Sequence, residues 1–302
     1  MKRTINFMGV RVIAVSIALV LCLASLGSIA VKGFNFGLDF TGGTLIELNY
    51  AEAADLNEIR SVLQAGGYED AVVQSFGSVS DVLVRTPGDD PELGQQIAAV
   101  LEQNSAQDFS VKRVEFVGPA VGEELRDQGG IGMLVAMAGI LVYLGFRFQW
   151  KFGLGAIIGL AHDVIVTLGV VSFFQLQFDL TVLAAILAII GYSLNDSIVI
   201  FDRIRENFRL LRNTSLIDNI NISTTQTLLR TLATSISTLV AVAALLFFGG
   251  DNLWGFALAL LVGITAGTFS SIYISSIALI WLKLTVEDLI PPVATEEVDE
   301  MP

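Results

Sequence analysis

The chain has 302 residues, of which 53% are hydrophobic and only 16% are charged, whereas ordinary soluble domains carry about 25% charged residues. This composition excludes a wholly soluble protein, and the single cysteine, Cys22, excludes a disulfide framework or a cysteine-based metal site. Most of the net charge of −13 lies between residues 32 and 128, where 17 acidic residues outnumber 6 basic ones, which argues against a nucleic-acid partner.

Six apolar runs approach the length of about 20 residues that a helix needs to cross a hydrocarbon core of about 30 Å. They extend over Val12–Val31, Gly129–Phe146, Phe152–Phe174, Leu180–Phe201, Thr227–Phe248 and Trp254–Leu282. The first run has a second interpretation as a cleaved signal peptide, because Lys2, Arg3 and Arg11 precede it. Its apolar stretch exceeds the roughly 7–15 residues usual for a signal peptide, which favours an uncleaved helix.

Lysine and arginine residues predict the direction of the crossings, because they accumulate in short cytoplasmic loops. The basic clusters that flank the spans all fall on one side of a six-span arrangement; they comprise Lys2, Arg3, Arg11, Arg147, Lys151, Arg203, Arg205, Arg209, Arg212 and Lys283. The opposite short loops, Gln175–Asp179 and Gly249–Asn252, contain neither lysine nor arginine. We therefore expect both termini in the cytoplasm and residues 32–128 outside, in the periplasm of a cell that has an outer membrane.

The outer segment shows the pattern of a small α+β domain. Strands are predicted over Thr44–Asn49, Asp70–Phe76, Val79–Arg85 and Phe109–Val117, and helices over Leu56–Ala65 and Pro91–Glu102. The second and third strands are separated by a Gly77-Ser78 turn. This order predicts a ferredoxin-like extracytoplasmic domain. It contains no recognisable catalytic set, metal cluster or phosphate-binding loop, so a binding or handling role is expected, without a cofactor or a catalytic residue.

Gly37-Leu38-Asp39-Phe40-Thr41-Gly42-Gly43 marks the junction between the first span and the outer domain. The glycine pair permits backbone conformations that other residues avoid. A phosphate-binding interpretation is weak, because no predicted helix follows the pair. A structural hinge or tight turn at Gly37, Asp39, Thr41, Gly42 and Gly43 is favoured over direct contact with a ligand or partner.

Four ionisable residues lie inside predicted spans, where such groups are costly and indicate function. They are His162, Asp163, Asp196 and Arg230. Asp196 precedes Arg203 by seven positions, roughly 10 Å beneath the cytoplasmic surface, and Arg230 enters the fifth span from the same side. Asp196 and Arg230 are therefore expected to lie level and face inward. Two interpretations remain: a buried salt bridge that sets helix register, and a proton relay, since desolvation opposes the charge of a carboxylate whereas arginine favours it.

Small and polar side chains recur along several spans and predict close helix packing. In the sixth span the stripe includes Gly255, Gly263, Gly267 and Ser271, and in the third span Gly155, Gly159, Asp163 and Thr167. Asp163 thereby faces a neighbouring helix, and an interhelical hydrogen bond explains His162 and Asp163 as well as a functional role does. In the fourth span Tyr192 shares a face with Asp196.

Several longer motifs resemble the SecF family of bacterial protein-export membrane proteins. The fourth span carries Gly191-Tyr192-Ser193, Asn195-Asp196, Val199, Asp202-Arg203 and Arg205-Glu206. Gly37–Gly43 is similar to the family's motif at the head of the outer domain, Thr225–Thr231 to its fifth span, and Gly267–Ser271 to its sixth. The resemblance extends from the first span to about Lys283.

The resemblance implies a subunit that forms a twelve-span, RND-like unit with SecD and joins the SecYEG channel. Such a unit uses the proton-motive force to help draw preproteins outward late in translocation. The family's proton-passing residues fall on Asp196 and Arg230, with Tyr192, Asn195, His162 and Asp163 as secondary intramembrane polar residues. The partner's carboxylate is absent from this chain, so a complete proton path requires SecD.

The expected organisation follows from these predictions. The first span with the N-terminus covers residues 1–31, a periplasmic domain 32–128, a five-helix membrane bundle 129–283 and an acidic cytoplasmic tail 284–302. A proton-coupled exporter of small molecules and a purely structural assembly factor remain alternatives. Six spans with one outer domain favour half of a larger unit over a complete exporter.

Overall fold

The computed structural model describes residues 4–76, 78–105, 107–211, 214–285 and 288. Some residues used in the predictions lie outside these ranges, namely Lys2, Arg3, Gly77, Arg212 and most of the acidic tail, including Pro291 to Pro302.

The helices in chain order are α1 (Arg11–Lys32), α2 (Leu38–Thr41), α3 (Leu56–Ala65), α4 (Leu93–Asn104), α5 (Pro119–Arg147), α6 (Trp150–Phe173), α7 (Leu180–Leu210), α8 (Leu216–Phe248), α9 (Asp251–Ile272) and α10 (Ile274–Trp281). The strands are β1 (Asn35–Phe36), β2 (Gly43–Tyr50), β3 (Val72–Phe76), β4 (Ser78–Thr86), β5 (Phe109–Val117) and β6 (Gln177–Phe178). A short 3-10 turn, Phe7–Val10, precedes α1.

Within the described ranges, six helical segments are long and apolar enough to cross a membrane, which agrees with the predicted number. Three of them extend well beyond their apolar runs: α5 begins at Pro119 rather than Gly129, α7 ends at Leu210 rather than Phe201, and α8 begins at Leu216 rather than Thr227. An apolar run marks the hydrocarbon layer, whereas a helix continues until its terminal backbone groups find other partners. Proline at the first position begins α5, and the Ser215 side chain caps α8.

The sixth crossing is interrupted at Tyr273, which separates α9 from α10 with φ −105° and ψ −61°. The Ser276 hydroxyl donates to the Ser271 carbonyl oxygen at 3.4 Å. A side chain that donates to a backbone carbonyl oxygen, in place of a backbone N–H, is a recognised cause of a helix kink.

Helices α6, α7 and α9 form the centre of the bundle, with α1 packed on α6 and α8 packed on α9. The rings of Phe152 and Phe201 are fully buried, with centroids 5.2 Å apart, and fasten α6 to α7 near one end. By contrast, α5 and α8 expose many apolar side chains, such as Leu134 and Leu229. Exposed apolar surface of this kind suits contact with lipid or with another membrane subunit.

The outer domain has a four-stranded antiparallel sheet in the order β3-β4-β2-β5. With two helices in a β-α-β-β-α-β sequence, this order confirms the predicted ferredoxin-like α+β fold. Alternate residues of β2 point to opposite faces: Ile46 and Leu48 pack with Ile59 of α3 and Leu101 of α4, whereas Leu45 packs on the other face.

A two-residue parallel ladder between β1 and β6 joins the outer domain to the bundle. Asn35 pairs with Gln177 and Phe36 with Phe178. The Arg85 guanidinium of β4 donates to the Phe36 carbonyl oxygen at 2.6 Å. The linker after the first span is therefore held between the outer sheet and the loop that connects α6 to α7.

Candidate functional site

Asp196 lies on α7 with only 3% of its surface exposed. Its Oδ2 atom is buried without a hydrogen-bond partner, and its side chain faces Ser235 of α8. Buried polar atoms are normally hydrogen-bonded, so an unpartnered carboxylate oxygen requires an explanation. On the same side of α8, the buried Thr231 hydroxyl also lacks a partner. The two helices thus enclose a small polar region with unused hydrogen-bonding capacity.

Arg230 does not face this region. The side chain is exposed on α8, and none of the ion pairs among the residues that the structure describes joins it to Asp196. The prediction that Arg230 faces inward is therefore wrong, although it lies within electrostatic range of Asp196. The buried stripe of α8 runs through Thr224, Thr227 and Thr231; Arg230 precedes Thr231 by one position, which rotates it by about 100° around the helix.

Tyr192 and Asn195 lie near Asp196 but differ in environment. The Tyr192 hydroxyl is 3.3 Å from Ser235 Oγ, which in turn lies 2.8 Å from Thr268 Oγ1 of α9. These contacts connect α7, α8 and α9 through side-chain hydroxyls. Asn195 is exposed on the outer surface of α7 and lines no part of this connection.

His162 and Asp163 lie at the centre of the bundle on α6. Asp163 is 0% exposed, and its Oδ2 accepts hydrogen bonds from Ser193 Oγ at 2.5 Å and Ser270 Oγ at 2.7 Å. His162 Nδ1 is 2.9 Å from Asp163 Oδ1, whereas its Nε2 is buried without a partner. Asp163 therefore differs from Asp196, because both of its oxygens are engaged.

The small residues of the sixth crossing bring α9 against α7. A Cβ atom on Gly263 would overlap the Ile189 side chain, and one on Gly267 would lie 3.2 Å from Ser193 Cβ. At Gly255 the nearest atom, Val182 Cγ2, would be at ordinary contact distance, 3.5 Å. Ser271 is fully buried and donates to the Thr268 carbonyl oxygen at 3.1 Å.

A buried polar network lies where α8 begins, and the sequence did not predict it. The Asn207 amide of α7 donates to Ser223 Oγ at 2.8 Å and Gln226 Oε1 at 2.9 Å. Ser223 Oγ donates to Asn219 Oδ1 at 2.9 Å. The cluster of amide side chains where α7 ends and α8 begins was the available signal. These bonds fix the α7–α8 hairpin and hence the relative heights of Asp196 and Arg230.

The Gly37–Gly43 junction contacts the outer ends of two membrane helices. Asp39 Oδ2 accepts a hydrogen bond from the Leu180 N–H at 3.1 Å, at the first residue of α7. Gly42 and Gly43 have φ angles of +65° and +111°. A Cβ on Gly42 would lie 2.8 Å from Pro119 Cα of α5, and one on Gly43 would lie 2.6 Å from the Thr86 carbonyl oxygen. Glycine is required at both positions by backbone angle and by space.

Thr41 and Gly37 complete the turn of the junction. The Thr41 hydroxyl donates to the Gly37 carbonyl oxygen at 3.1 Å. A Cβ on Gly37 would lie 2.9 Å from Asp179 Cβ, beside the start of α7. The motif thus forms a tight turn whose neighbours belong to both the outer domain and the bundle.

Six helices long and apolar enough to span a membrane, with a ferredoxin-like domain after the first, define a class of polytopic membrane proteins with one inserted α+β domain. The chain matches the family described as "Protein export membrane protein SecD/SecF, C-terminal" over residues 96–285, and "SecD/SecF GG Motif" over residues 27–54. It belongs to the SecD/SecF family of protein-export membrane proteins, which confirms the resemblance seen in the motifs.

Relatives cover the whole chain. It is 66% identical over 300 residues to "Protein translocase subunit SecF" of Pseudomonas aeruginosa, covering 99% of this chain and 98% of that one. The protein of the same description from Haemophilus influenzae is 48% identical, with 98% and 92% covered.

Two solved structures share the fold. A crystal structure of SecDF, described as a translocon-associated membrane protein from Thermus thermophilus, superposes with a TM-score of 0.86 at 40% identity, covering 93% of this chain and 39% of that chain. SecDF in a super-membrane-facing form gives 0.69 at 39% identity, covering 94% and 39%. This chain therefore spans about two fifths of the length of each solved chain.

Proposed function

We propose that this chain is an accessory subunit of the Sec translocase that acts with a SecD partner and uses the proton-motive force to promote late preprotein translocation. Its role in protein export follows from the family; proton coupling and the stage of export are the proposed part. The solved SecDF chains support the need for a partner, because this chain corresponds to only 39% of each. SecYEG, the translocating preprotein and protons complete the proposed set of partners.

The observation that carries the proposal is the unpartnered Oδ2 of Asp196. A proton can bind there without displacing a hydrogen bond, and its loss leaves a buried charge, so the two states differ strongly in energy. Arg230 lies within electrostatic range and is exposed. These observations support a response of Arg230 to the charge on Asp196, and we include in the proposal its contact with a carboxylate of SecD at the surface of α8.

The membrane potential is large enough to drive such a cycle. One elementary charge that crosses the field contributes about 2.3 kcal/mol per 100 mV. A few kcal/mol is the scale on which two arrangements of packed helices interconvert. Protonation of Asp196 with a movement of Arg230 is therefore proposed to shift the bundle between two arrangements.

The proposed orientation places both termini in the cytoplasm and the outer domain in the periplasm. Ion pairs support a common basic end of the bundle: Arg147 with Asp202, and Lys151 Nζ with Asp288 Oδ2 at 2.6 Å. Lysine and arginine at this end would be retained in the cytoplasm. We propose the inner membrane as the location, with residues 32–128 outside.

The outer domain is the proposed site of preprotein handling. A cavity of about 780 Å³ lies between its sheet and the ends of the membrane helices. Gln74 and Arg113 line it from the sheet, and Gln177 and Trp254 line it from the bundle. Because Asp39 binds the first residue of α7, a displacement of α7 would reach this domain directly.

The test is Asp196→Asn in vesicles that hold this chain with SecD and the translocase. We expect the gradient-driven part of late export to be lost while the ATP-driven part is kept, because the amide cannot take up the proton. Asp127→Asn, which removes an exposed carboxylate at the outer part of α5, is the matched control and should behave as wild type. Full gradient dependence in Asp196→Asn at normal protein amount would refute the relay.

A further inference from the structure

The second buried carboxylate of the bundle, Asp163, is held by groups from three helices. Ser193 Oγ of α7 and Ser270 Oγ of α9 both donate to its Oδ2, at 2.5 Å and 2.7 Å, and His162 of its own helix lies 2.9 Å from Oδ1. Asp163 is 0% exposed. Because the two serines lie on different helices from Asp163, this arrangement ties α6, α7 and α9 together at one point.

The helices pack closely around this contact. A Cβ on Gly267 would lie 3.5 Å from Asp163 Oδ2 and 3.2 Å from Ser193 Cβ. One turn before Asp163 on α6, a Cβ on Gly159 would overlap Ser275 of α10. The polar contact therefore lies inside a closely packed seam, where displacements of packed elements occur in discrete steps.

The contact of Asp163 with Ser193 and Ser270, called the clamp below, lies next to the proposed proton site along α7. Ser193 precedes Asp196 by three residues, about 4.5 Å along the helix axis. On the following turn, Ser197 Oγ lies 3.4 Å from Ser275 Oγ of α10. A slip of α7 against α6 and α9 would therefore move Asp196 relative to α8.

The two carboxylates differ in what they can do with a proton. Oδ2 of Asp163 accepts from two serine hydroxyls and Oδ1 is paired with His162 Nδ1, so a proton bound at Asp163 would be held in the hydrogen bond to the histidine. Asp196 Oδ2 has no partner to displace. The geometry thus assigns to Asp163 the role of holding the helices together, and to Asp196 the role of exchanging a proton.

We infer that Asp163 is a positioning residue that clamps α7 to α6 and α9 and so sets the place of Asp196, without carrying a proton itself. This inference rests on the proposed function of Asp196. The role of Asp163 depends on its hydrogen bonds rather than on its charge. A substitution that removes the charge but keeps the hydrogen bonds therefore tests the two contributions separately. An asparagine can preserve every contact: its oxygen accepts from both serines, and its N–H donates to His162 Nδ1 in the other tautomer.

The experiment compares three variants in vesicles with SecD and the translocase. Asp163→Asn keeps the hydrogen bonds and removes the charge. Asp163→Leu removes both, and the milder Ser193→Ala with Ser270→Ala removes the two donors while the carboxylate stays. We expect Asp163→Asn to keep gradient-driven export within about twofold of wild type. The other two should lose roughly tenfold or more, since a misplacement of about 1 Å can cost about 100-fold.

Helix register is measured separately by a disulfide between Val182→Cys and Gly255→Cys in a Cys22→Ser background. A Cβ at Gly255 lies 3.5 Å from Val182 Cγ2, so cross-linking reports the native height of α7 against α9. The cross-link yield of the cysteine pair should be unchanged when Asp163→Asn is added, and it should fall when either of the other two changes is added. This readout does not depend on export.

Two results would overturn the inference. Loss of gradient-driven export in Asp163→Asn with a normal cross-link would show that its charge or proton is used directly. Normal export and cross-linking in the serine double variant and in Asp163→Leu would show that nothing is positioned. If Asp196→Asn leaves gradient dependence intact, the proposed function fails, and the cross-link yields still decide whether the clamp sets the register.

Discussion

Single positions in the bundle differ mainly in the partners that their side chains find. Asp163 and Asp196 are both buried carboxylates, yet one has both oxygens engaged and the other has an orphaned atom. The sequence could locate both by their depth in an apolar run. It could not predict the exposure of Arg230, because a shift of one position turns a helical side chain by about 100°. The threonines on both sides of Arg230 also made the limits of the polar stripe on α8 uncertain.

Close packing at Gly263 gives a prediction at the same scale. We expect Gly263→Ala to destabilise the protein by about 1–3 kcal/mol, because overpacking a filled core has costs of that size. The added Cβ would overlap Ile189, which is itself buried. The measurement is thermal unfolding of the purified chain in detergent.

Gly139→Ala on α5 is the matched control, because a Cβ there meets nothing within 4 Å. It should leave the unfolding temperature unchanged or raise it, since alanine favours a helix over glycine by up to about 1 kcal/mol. Equal unfolding temperatures for the two variants would contradict the packing argument.

The secondary-structure elements with a long periodic pattern of apolar residues could be predicted from the sequence. The elements that form only through tertiary contacts could not. Six apolar runs and the β-α-β-β-α-β order were read from periodicity. The β1–β6 ladder has two residues a strand, too few for a period to be seen. Helix ends such as Pro119 and Leu216 depend on capping rather than on hydropathy, so the apolar runs missed them.

The open face of the outer sheet carries a cross-strand cluster that should respond to pH. Asp81 of β4 binds Lys112 Nζ of β5 at 2.8 Å and Asn49 Nδ2 of β2 at 2.7 Å. The hydrogen bond from Lys112 holds the pKa of Asp81 below its usual range, assisted by Asn49 and Ser78 and opposed by burial. A lowered folded-state pKa stabilises the fold above the unfolded value, about 3.9, and this contribution is lost as pH falls through the folded value.

Asp81→Asn should therefore lower the unfolding temperature at pH 5 to 7, and the difference from wild type should shrink as pH falls below about 4. Thermal unfolding of both proteins across this range measures the effect. Asp70→Asn, at an exposed position of the same domain, serves as control and should match wild type throughout. A constant difference between Asp81→Asn and wild type down to the lowest pH would count against the cluster.

At the scale of the whole molecule, one short segment connects the two folded parts. In this segment, residues 35–43, Asn35 and Phe36 pair with β6, and the Phe36 carbonyl oxygen accepts a hydrogen bond from Arg85 of the outer sheet. Asp39 accepts a hydrogen bond from the N-terminus of α7. The same α7 carries Asp196 and the donor to Asp163. An event at the buried carboxylates therefore has a path to the outer domain that passes through contiguous contacts rather than a loose linker.

This connection predicts a specific cross-link. In a Cys22→Ser background, Asn35→Cys with Gln177→Cys should form a disulfide in high yield, because the two residues are paired in register. Neighbouring strands lie about 4.8 Å apart, within the Cα separation of roughly 4.4–6.8 Å that a disulfide spans. Asn35→Cys with Phe178→Cys is the control; successive side chains point to opposite faces, so its yield should be low.

Adding Asp39→Ala to the registered pair tests whether the carboxylate holds the joint closed. Removal of the acceptor leaves the Leu180 N–H without its cross-domain partner, so the outer domain should separate from the bundle more often and the cross-link yield should fall. Asp39→Asn keeps an acceptor oxygen and should restore the yield. If Asp39→Ala cross-links as fully as the parent, the ladder alone holds the two parts together, and α7 has no separate connection to the outer domain through this residue.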